Sequence, residues 1–369
     1  MNKIILFFFN FWVFLSIGPH QPNAWAHGAL GASTGGLGQL TIIIMTTVIL
    51  FSLFLVFTHQ KKGWTVLVTG GGGYVGSILV PKLLQGKHRV TVLDLYSHGE
   101  NMLQNVEKYA TLKQLRGSIT NINAIKDAVN GCDAVIHLAC PPSLLSENSD
   151  STKTNIYNTD DFRSLVQAAK AAGVKRFINT SSFHVYGNSK ETEVDENESP
   201  DPQTQFSKYK LQCEKILEEE RELGFIACTV RPAHIYGDTP TQRLGHLVCM
   251  LHEAIKTGSV VIDDPHQKFS NIHVNDIADL YLLILNQTPR KIDGKIFNAS
   301  SATISFSELI EIIQTLIGQK VNIIFEPAQG TKSVQISSKK IYQELGFRPK
   351  FNIEKALLNI AKTTQKTAL

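Results

Sequence analysis

The chain has 369 residues, with 36 lysines and arginines against 32 aspartates and glutamates, and the basic residues form no block. This length allows one large or two modest domains, and the nearly balanced charge argues against a nucleic acid partner. The five cysteines lie far apart without a Cys-x-x-Cys pair, a pattern that predicts reduced thiols and no metal site.

The N-terminal segment is apolar and carries no Asp, Glu, Lys or Arg between Ile4 and Gln60. Its first apolar run, Ile4–Ile17, follows Lys3 and precedes Ala24-Trp25-Ala26. A basic start, a short apolar core and a small-x-small end resemble a secretory signal. We therefore expect residues 1–26 to form either a signal peptide or a first membrane segment.

A second apolar run, Leu40–Phe57, contains 18 residues and predicts a transmembrane helix over 40–57, because it is just long enough to span a bilayer. Lys61 and Lys62 follow and should stay on the cytoplasmic side. Cleavage after Ala26 leaves a single-pass anchor, whereas retention of the first run gives a hairpin. Both alternatives place the large domain in the cytoplasm. A buried core helix is the remaining interpretation of this run.

The next elements predict a dinucleotide site. An apolar strand, Val66–Val68, runs into the glycine cluster that begins at Gly70, and a helix over Ser77–Gln85 follows. A second strand, Val90–Leu93, ends on Asp94. Strand, glycine loop, helix, strand and carboxylate occur here in the order that a Rossmann-type site requires.

Three glycines of this loop have separate predicted roles. Gly70 allows a sharp turn, Gly73 allows the backbone to approach a pyrophosphate, and Gly76 allows the helix to lie close to the sheet. The N-terminus of the helix then faces the phosphates. Asp94 should accept hydrogen bonds from a ribose 2′-hydroxyl and repel a 2′-phosphate, so NAD is favoured over NADP.

Strand and helix patterns continue to alternate along the chain as far as Val230. Strands are predicted over Thr111–Leu115, Ala134–Leu138, Arg176–Asn179 and Phe225–Val230, and helices over Ile122–Val129, Asp160–Ala172 and Ser207–Leu223. The alternation predicts an α/β fold, a doubly wound parallel sheet of the Rossmann type. We assign residues 64–230 to the NAD-binding domain and 231–369 mainly to a smaller C-terminal lobe that binds the substrate.

Several ordered motifs resemble the extended short-chain dehydrogenase/reductases, the NAD-dependent epimerase/dehydratase group. They are Thr69–Gly76, Asp133–Ala139, Asn155, Thr180–Gly187, Lys210-Leu211-x-x-Glu214, Arg231–Gly237 and His273-Val274-x-Asp276. The resemblance covers nearly all of residues 64–362. It implies NAD as the cofactor, with contacts from Gly70, Gly73, Tyr74, Val75, Gly76, Asp94, Ser118, Ile119, Leu138, Ala139, Cys140 and Lys210.

The same resemblance implies a Tyr-x-x-x-Lys pair on one helix and a serine from the preceding strand end. Lys210 and Ser182 match the lysine and the serine, but Phe206 stands four residues before Lys210, where the family has its acid/base tyrosine. Three accounts remain: Tyr209 or Tyr186 substitutes for the missing hydroxyl, the reaction differs, or the domain binds NAD and ligand without turnover.

We therefore expect a membrane-tethered NAD-binding protein that acts on a nucleotide sugar, or a related hydroxyl-bearing small molecule, through a keto intermediate. Ser182 would bind the reacting oxygen and Lys210 the nicotinamide ribose. A non-catalytic NAD sensor or scaffold and a 3-hydroxysteroid-type dehydrogenase are the alternatives. A homodimer is compatible with this interpretation. Arg231 would bind either a substrate phosphate or a local carboxylate, and His137 is expected to be structural.

Overall fold

The computed structural model describes residues 44–49, 63–97, 99, 102–141, 159–187, 189, 193–241, 245–326 and 334–367. The chain divides into two compact units, Met1–Lys61 and Lys62–Leu369. In the first unit, residues 44–49 are helical; the segment 1–26 and the rest of the predicted helix over 40–57 lie outside the described residues. In the described part of the chain, no helix has the length and apolar character needed to cross a membrane.

The second unit alternates strands and helices from its first element. The strands are β1 Thr65–Thr69, β2 Arg89–Asp94, β3 Leu112–Arg116, β4 Ala134–His137, β5 Arg176–Thr180, β6 Ile226–Pro232, β7 His234–Tyr236, β8 Ser259–Ile262, β9 Lys268–His273, β10 Lys295–Ala299, β11 Ala302–Ser305 and β12 Asn322–Phe325. The helices are α1 Gly76–Gln85, α2 Ile122–Val129, α3 Asp160–Ala171, α4 Gln205–Glu219, α5 His246–Thr257, α6 Val274–Leu285, α7 Pro289–Ile292, α8 Phe306–Ile317, α9 Lys339–Leu345 and α10 Ile353–Thr367.

The main sheet has seven strands in the order β10-β6-β5-β4-β1-β2-β3. Every neighbouring pair in it is parallel. The order reverses at β1, because β2 lies on one side of it and β4 on the other, and ligands of such sheets bind at this switch point. The predicted doubly wound α/β fold is confirmed.

Both faces of the sheet are covered, and β1 shows how. Val66 and Val68 point into one core with α1 and α6, while Leu67 points into a second core with α2, α3 and α4. All three side chains have no exposed surface. Successive residues of a strand face opposite sides, so a strand buried on both faces is apolar throughout.

The C-terminal part of the chain is shared between the main sheet and a smaller lobe. The three-stranded sheet β11-β9-β7, the pair β12-β8 and a third core formed by α5, α8 and α10 make up that lobe. However, β10 returns to the main sheet beside β6, and α6 packs on α1, where Lys82 Nζ lies 2.6 Å from Asp279 Oδ1. Residues 231–369 therefore do not lie wholly outside the Rossmann sheet.

One predicted helix boundary differs by several residues. The helix predicted over Ser207–Leu223 runs from Gln205 to Glu219. Thr204 begins it with a capping box to Ser207, and such a cap contributes about 1 kcal/mol. At the other end, Gly224, with φ +91°, serves the turn into β6 and does not end the helix.

Candidate functional site

The glycine loop between β1 and α1 is tightly constrained by its neighbours. Gly70 has φ +74°, and a β-carbon there would lie 2.8 Å from Ala139 N. A β-carbon at Gly76 would lie 2.4 Å from Gly70 O, so the start of α1 packs directly on the loop. Both positions therefore require glycine for steric reasons, one for the turn and one for close approach.

The N-terminus of α1 has the properties of an anion site. Within the described residues, Val75 at the N-cap makes no side-chain capping bond, and the first turn holds no acidic residue. The first turn of a helix carries partial positive charge. In α1 the amide of Ser77 already donates to Gly73 O at 2.9 Å and that of Ile78 to Val75 O at 3.1 Å, so the positive end of the helix is the main attraction for an anion. The side chain of Tyr74 turns away from them, because its hydroxyl donates to Gly237 O at 2.6 Å. This end of α1 fits a diphosphate group.

Asp94 lies at the end of β2, beside the glycine loop. Its Oδ2 accepts a hydrogen bond from Gly72 N at 2.9 Å, and its Oδ1 accepts one from Tyr96 N at 2.6 Å. Each carboxylate oxygen keeps a further acceptor site. The carboxylate is thus held in place by the backbone while it can still accept hydrogen bonds from a ribose diol.

The other predicted cofactor residues follow neighbouring strands at the same sheet edge. Ser118 and Ile119 follow β3, and Ser118 Oγ accepts a bond from Thr120 N at 3.1 Å. Residues 138–140 follow β4, beginning with Leu138, whose amide donates to Thr69 O at 3.0 Å. The structure therefore brings the predicted set together, and contact of these residues with NAD stays a prediction.

Ser182 and Lys210 meet at the end of β5. Lys210 lies on α4 and is 4% exposed, and its Nζ donates to Thr180 O at 2.8 Å. Ser182 lies two residues beyond Thr180 and begins a short 3₁₀ helix, Phe183–Tyr186. The ammonium has three protons and uses one for Thr180, so the others can serve a ligand.

Phe206 occupies the place on α4 where a phenol would otherwise face this site. Its ring centroid lies 5.9 Å from Lys210 Nζ. The two nearby tyrosines lie in the core. Tyr209 is 3% exposed, and Tyr186 is fully buried, where its hydroxyl donates a hydrogen bond to Asn298 Oδ1 at 2.8 Å. Burial raises the pKa of both phenols. This burial disfavours the alternative in which Tyr209 or Tyr186 takes the acid/base role, and that alternative stays a prediction.

His184 also lies at this site, although its motif in the sequence predicts no role for it. Its Nδ1 lies 2.9 Å from Ser182 Oγ, and its backbone N–H donates to the same oxygen at 3.3 Å. Its ring packs edge-on against Phe206, with centroids 5.9 Å apart, and against His234 at 5.7 Å. The signal available in the sequence was the Ser182-x-His184 spacing, together with a phenylalanine at the position where the family resemblance implies a tyrosine.

Two further candidates have structural partners. Arg231 donates from Nε and Nη2 to Glu214 at 3.0 and 2.7 Å, so its partner is a local carboxylate. Burial alone would lower the pKa of Arg231, but the bonds to Glu214 outweigh it and raise that pKa. His137 is fully buried, with Nδ1 2.8 Å from Thr69 Oγ1, and burial lowers its pKa to about 3. Both side chains support the sheet.

Comparisons with known proteins place most of the described second unit among related sequences. Residues 66–300 match the family model described as NAD dependent epimerase/dehydratase family. The UDP-glucose 4-epimerase of Lacticaseibacillus casei is 26% identical over 310 residues, which cover 78% of this chain and 92% of that protein. An uncharacterized protein of Sinorhizobium fredii is 30% identical over 225 residues, and the match spans about half of its length, 53%.

Solved structures share the fold. The UDP-glucose 4-epimerase of Thermotoga maritima, solved with UDP-glucose, has a TM-score of 0.70 at 25% identity. The match covers 83% of this chain and 100% of that chain. A tyrosine-to-phenylalanine mutant of the UDP-glucuronic acid 4-epimerase of Bacillus cereus, solved with a fluorinated substrate analogue and NAD, has a TM-score of 0.74 at 20% identity, covering 82% and 99%.

Proposed function

The chain belongs to the NAD-dependent epimerase/dehydratase family, and on that premise we propose that it binds NAD and converts a nucleotide sugar through a transient keto intermediate. The observation that carries the proposal is the bond from Lys210 Nζ to Thr180 O, 2.8 Å long. This bond holds a buried ammonium at the strand ends that also carry the glycine loop, Asp94 and Ser182.

NAD is the cofactor of this family, and when bound it accepts a hydride from the sugar and returns it. The N-terminus of α1 would hold its diphosphate, and Asp94 would accept bonds from the adenosine ribose and disfavour a 2′-phosphate. Lys210 would donate to the nicotinamide ribose. This proposal is supported by the steric need for glycine at Gly70 and Gly76 and by the position of Asp94 beside the loop.

The choice of a nucleotide sugar is supported by the relatives, which include UDP-glucose 4-epimerases and dTDP-glucose 4,6-dehydratases. In the proposed reaction, Ser182 donates to or accepts from the reacting hydroxyl oxygen. The Lys210 ammonium stabilises negative charge that develops there as the proton leaves. The rest of the nucleotide sugar would be held by the C-terminal lobe.

The test uses the purified full chain in detergent, with UDP-glucose, UDP-glucuronic acid and dTDP-glucose as probes. Released NAD is quantified after denaturation, and NMR follows inversion at the sugar C4 or formation of a 4-keto product. Turnover with retained NAD supports the proposal. Retained NAD without turnover of any probe indicates the sensor alternative, and absence of NAD binding at millimolar concentration contradicts the assignment.

A matched pair of lysines on α4 tests the site itself. Lys210→Met should lower turnover by at least about 100-fold, because a positioned charge and a ribose contact are lost. Lys208→Met changes an exposed lysine of the same helix and should leave turnover unchanged. Equal activity of the two variants would contradict the role given to Lys210.

We also propose that residues 40–57 anchor the chain in a membrane, with the NAD-binding unit on the cytoplasmic side. Support comes from the sequence: Leu40–Phe57 contains no charged residue, and Lys61 and Lys62 follow it. After carbonate extraction, the full chain should stay in the membrane pellet, and a chain that begins at residue 63 should not. Recovery of both in the supernatant would contradict the anchor.

A further inference from the structure

The place of the missing phenol is bordered by a serine–histidine pair. Ser182 Oγ lies 2.9 Å from His184 Nδ1, and the His184 ring lies edge-on to Phe206. Phe206 has no proton to exchange, and Tyr209 and Tyr186 are buried in the core. Any proton that leaves a substrate hydroxyl bound at Ser182 therefore has His184 as its neighbouring base among the described residues.

The hydrogen bonds at Ser182 Oγ determine the direction in which the serine hydroxyl can pass its proton. A serine hydroxyl has one proton and two acceptor sites. One acceptor site takes the His184 backbone N–H at 3.3 Å, which leaves one for a substrate hydroxyl. The serine proton is then directed at Nδ1, provided that the imidazole carries its own proton on Nε2. The 3₁₀ helix fixes this arrangement, because Ser182 caps its N-terminus and His184 lies within it.

We propose that Ser182 and His184 form a proton relay that replaces the family's tyrosine, an inference that rests on the function proposed above. The substrate hydroxyl passes its proton to Ser182 Oγ while the serine proton passes to His184 Nδ1. The electron pair of the substrate C–H bond leaves as hydride to NAD, the oxidant. The products are a ketone, reduced cofactor and an imidazolium. Return of hydride and proton by the same route yields the epimer and restores neutral His184, so no further reactant is needed.

The proposal predicts that His184 affects the rate of reaction and not the binding of cofactor. His184→Gln should lower kcat by about 100- to 10,000-fold, the range for positioned proton transfer, with a small change in KM and in bound NAD. The matched control is His234→Gln, which changes another histidine of the same ring cluster and should retain kcat within about threefold. UDP-glucose is the first probe, and the other two nucleotide sugars follow.

Two rescues separate a proton role from a structural one. Phe206→Tyr combined with His184→Gln restores a phenol at the usual place and should recover turnover. Added imidazole should also recover part of the activity of His184→Ala, in proportion to its concentration. Unaltered kcat in His184→Gln overturns the relay while the proposed function stands. Failure of the wild-type chain to turn over any probe overturns both.

A spectroscopic measurement does not depend on turnover. In ¹⁵N-labelled full chain, the imidazole signals that disappear in His184→Asn belong to His184. Ser182→Ala should shift the Nδ1 signal of His184, because it removes the hydroxyl that donates to Nδ1. The same variant should also lower the population of the tautomer that carries its proton on Nε2. An Nδ1 signal that does not respond to Ser182→Ala overturns the relay even if the glutamine variant fails to retain NAD.

Discussion

Replacement of Asp94 by asparagine tests the cofactor assignment with little change in shape. The carboxylate accepts hydrogen bonds from Gly72 N at 2.9 Å and Tyr96 N at 2.6 Å. An asparagine amide has one acceptor oxygen, so one of these two backbone donors loses its partner and the negative charge disappears. The variant Asp94→Asn should therefore weaken both the loop and the binding of NAD.

The magnitude follows from the bonds that are lost. A hydrogen bond to a charged group contributes about 1.5–3 kcal/mol, so loss of one to Gly72 or Tyr96 should lower the free energy of unfolding by that amount. Loss of a similar bond to the adenosine ribose should raise the Kd for NAD about 10- to 150-fold, since 1.4 kcal/mol corresponds to tenfold. NADP gains relative to NAD, because its 2′-phosphate no longer meets a carboxylate.

Calorimetric titration with NAD and NADP measures both constants, and chemical denaturation measures stability. Asp133→Asn is the matched control, because Asp133 Oδ2 accepts the amide N–H of Thr65 at 2.9 Å at the opposite end of β1. That variant keeps an acceptor for Thr65 and loses only the charge on it, so it should lose less stability and leave the Kd for NAD unchanged. Unchanged NAD affinity in Asp94→Asn, or an equal loss in Asp133→Asn, would refute the reasoning.

Two predictions concern buried charge and pH. Glu214→Gln leaves Arg231, 3% exposed at its side chain, without its carboxylate and should lower the free energy of unfolding by about 3–5 kcal/mol in urea, whereas Glu218→Gln, exposed in its ion pair, should change it by less than about 1 kcal/mol. Burial lowers the pKa of His273 to about 4 from 6.5, and Nδ1 of this residue caps α6 through Asn275 N. Because the unfolded chain takes up this proton first, wild-type stability should fall as pH drops from about 6.5 to 4. His273→Asn, which retains a cap acceptor, should lack that component; parallel pH curves for the two proteins would contradict it.

The elements around the glycine loop could be predicted from sequence because local chemistry determines them. The helix predicted over Ile122–Val129 has those bounds, and it begins there because Asn121 Oδ1 accepts the amides of Asn123 and Ala124. Both faces of β1 are buried, which explains its apolar run. The glycines that follow it are explained by the tight turn and the close packing of α1 on the loop. The sequence is sufficient to predict an element when neighbouring residues alone explain why each residue type stands at its position.

The parts that sequence could not predict depend on distant partners. The end of α4 lies near Glu220, whose carboxylate accepts bonds from Arg163, Gln167 and Lys170 of α3. An acidic run such as Glu218–Glu220 suggests a solvated surface, yet Glu220 is 13% exposed at its side chain because these partners cover it. Likewise β10 pairs with β6 although several elements of the smaller lobe lie between them in sequence. Nothing in the residues of β10 itself specifies that neighbour.

The family resemblance implies two roles on α4: a tyrosine at position 206 would transfer a proton, and Lys210 would bind the cofactor ribose. Lys210 is held by Thr180 through the backbone of β5, so its position does not depend on a phenol four residues earlier. Phe206 retains the ring and thus the packing against His184, and loses only the hydroxyl. We therefore expect Lys210 to keep its position whichever residue stands at position 206. On the proposed function, the proton transfer that the family resemblance assigns to a tyrosine at this position falls to the neighbouring turn, in which Ser182 and His184 are hydrogen-bonded.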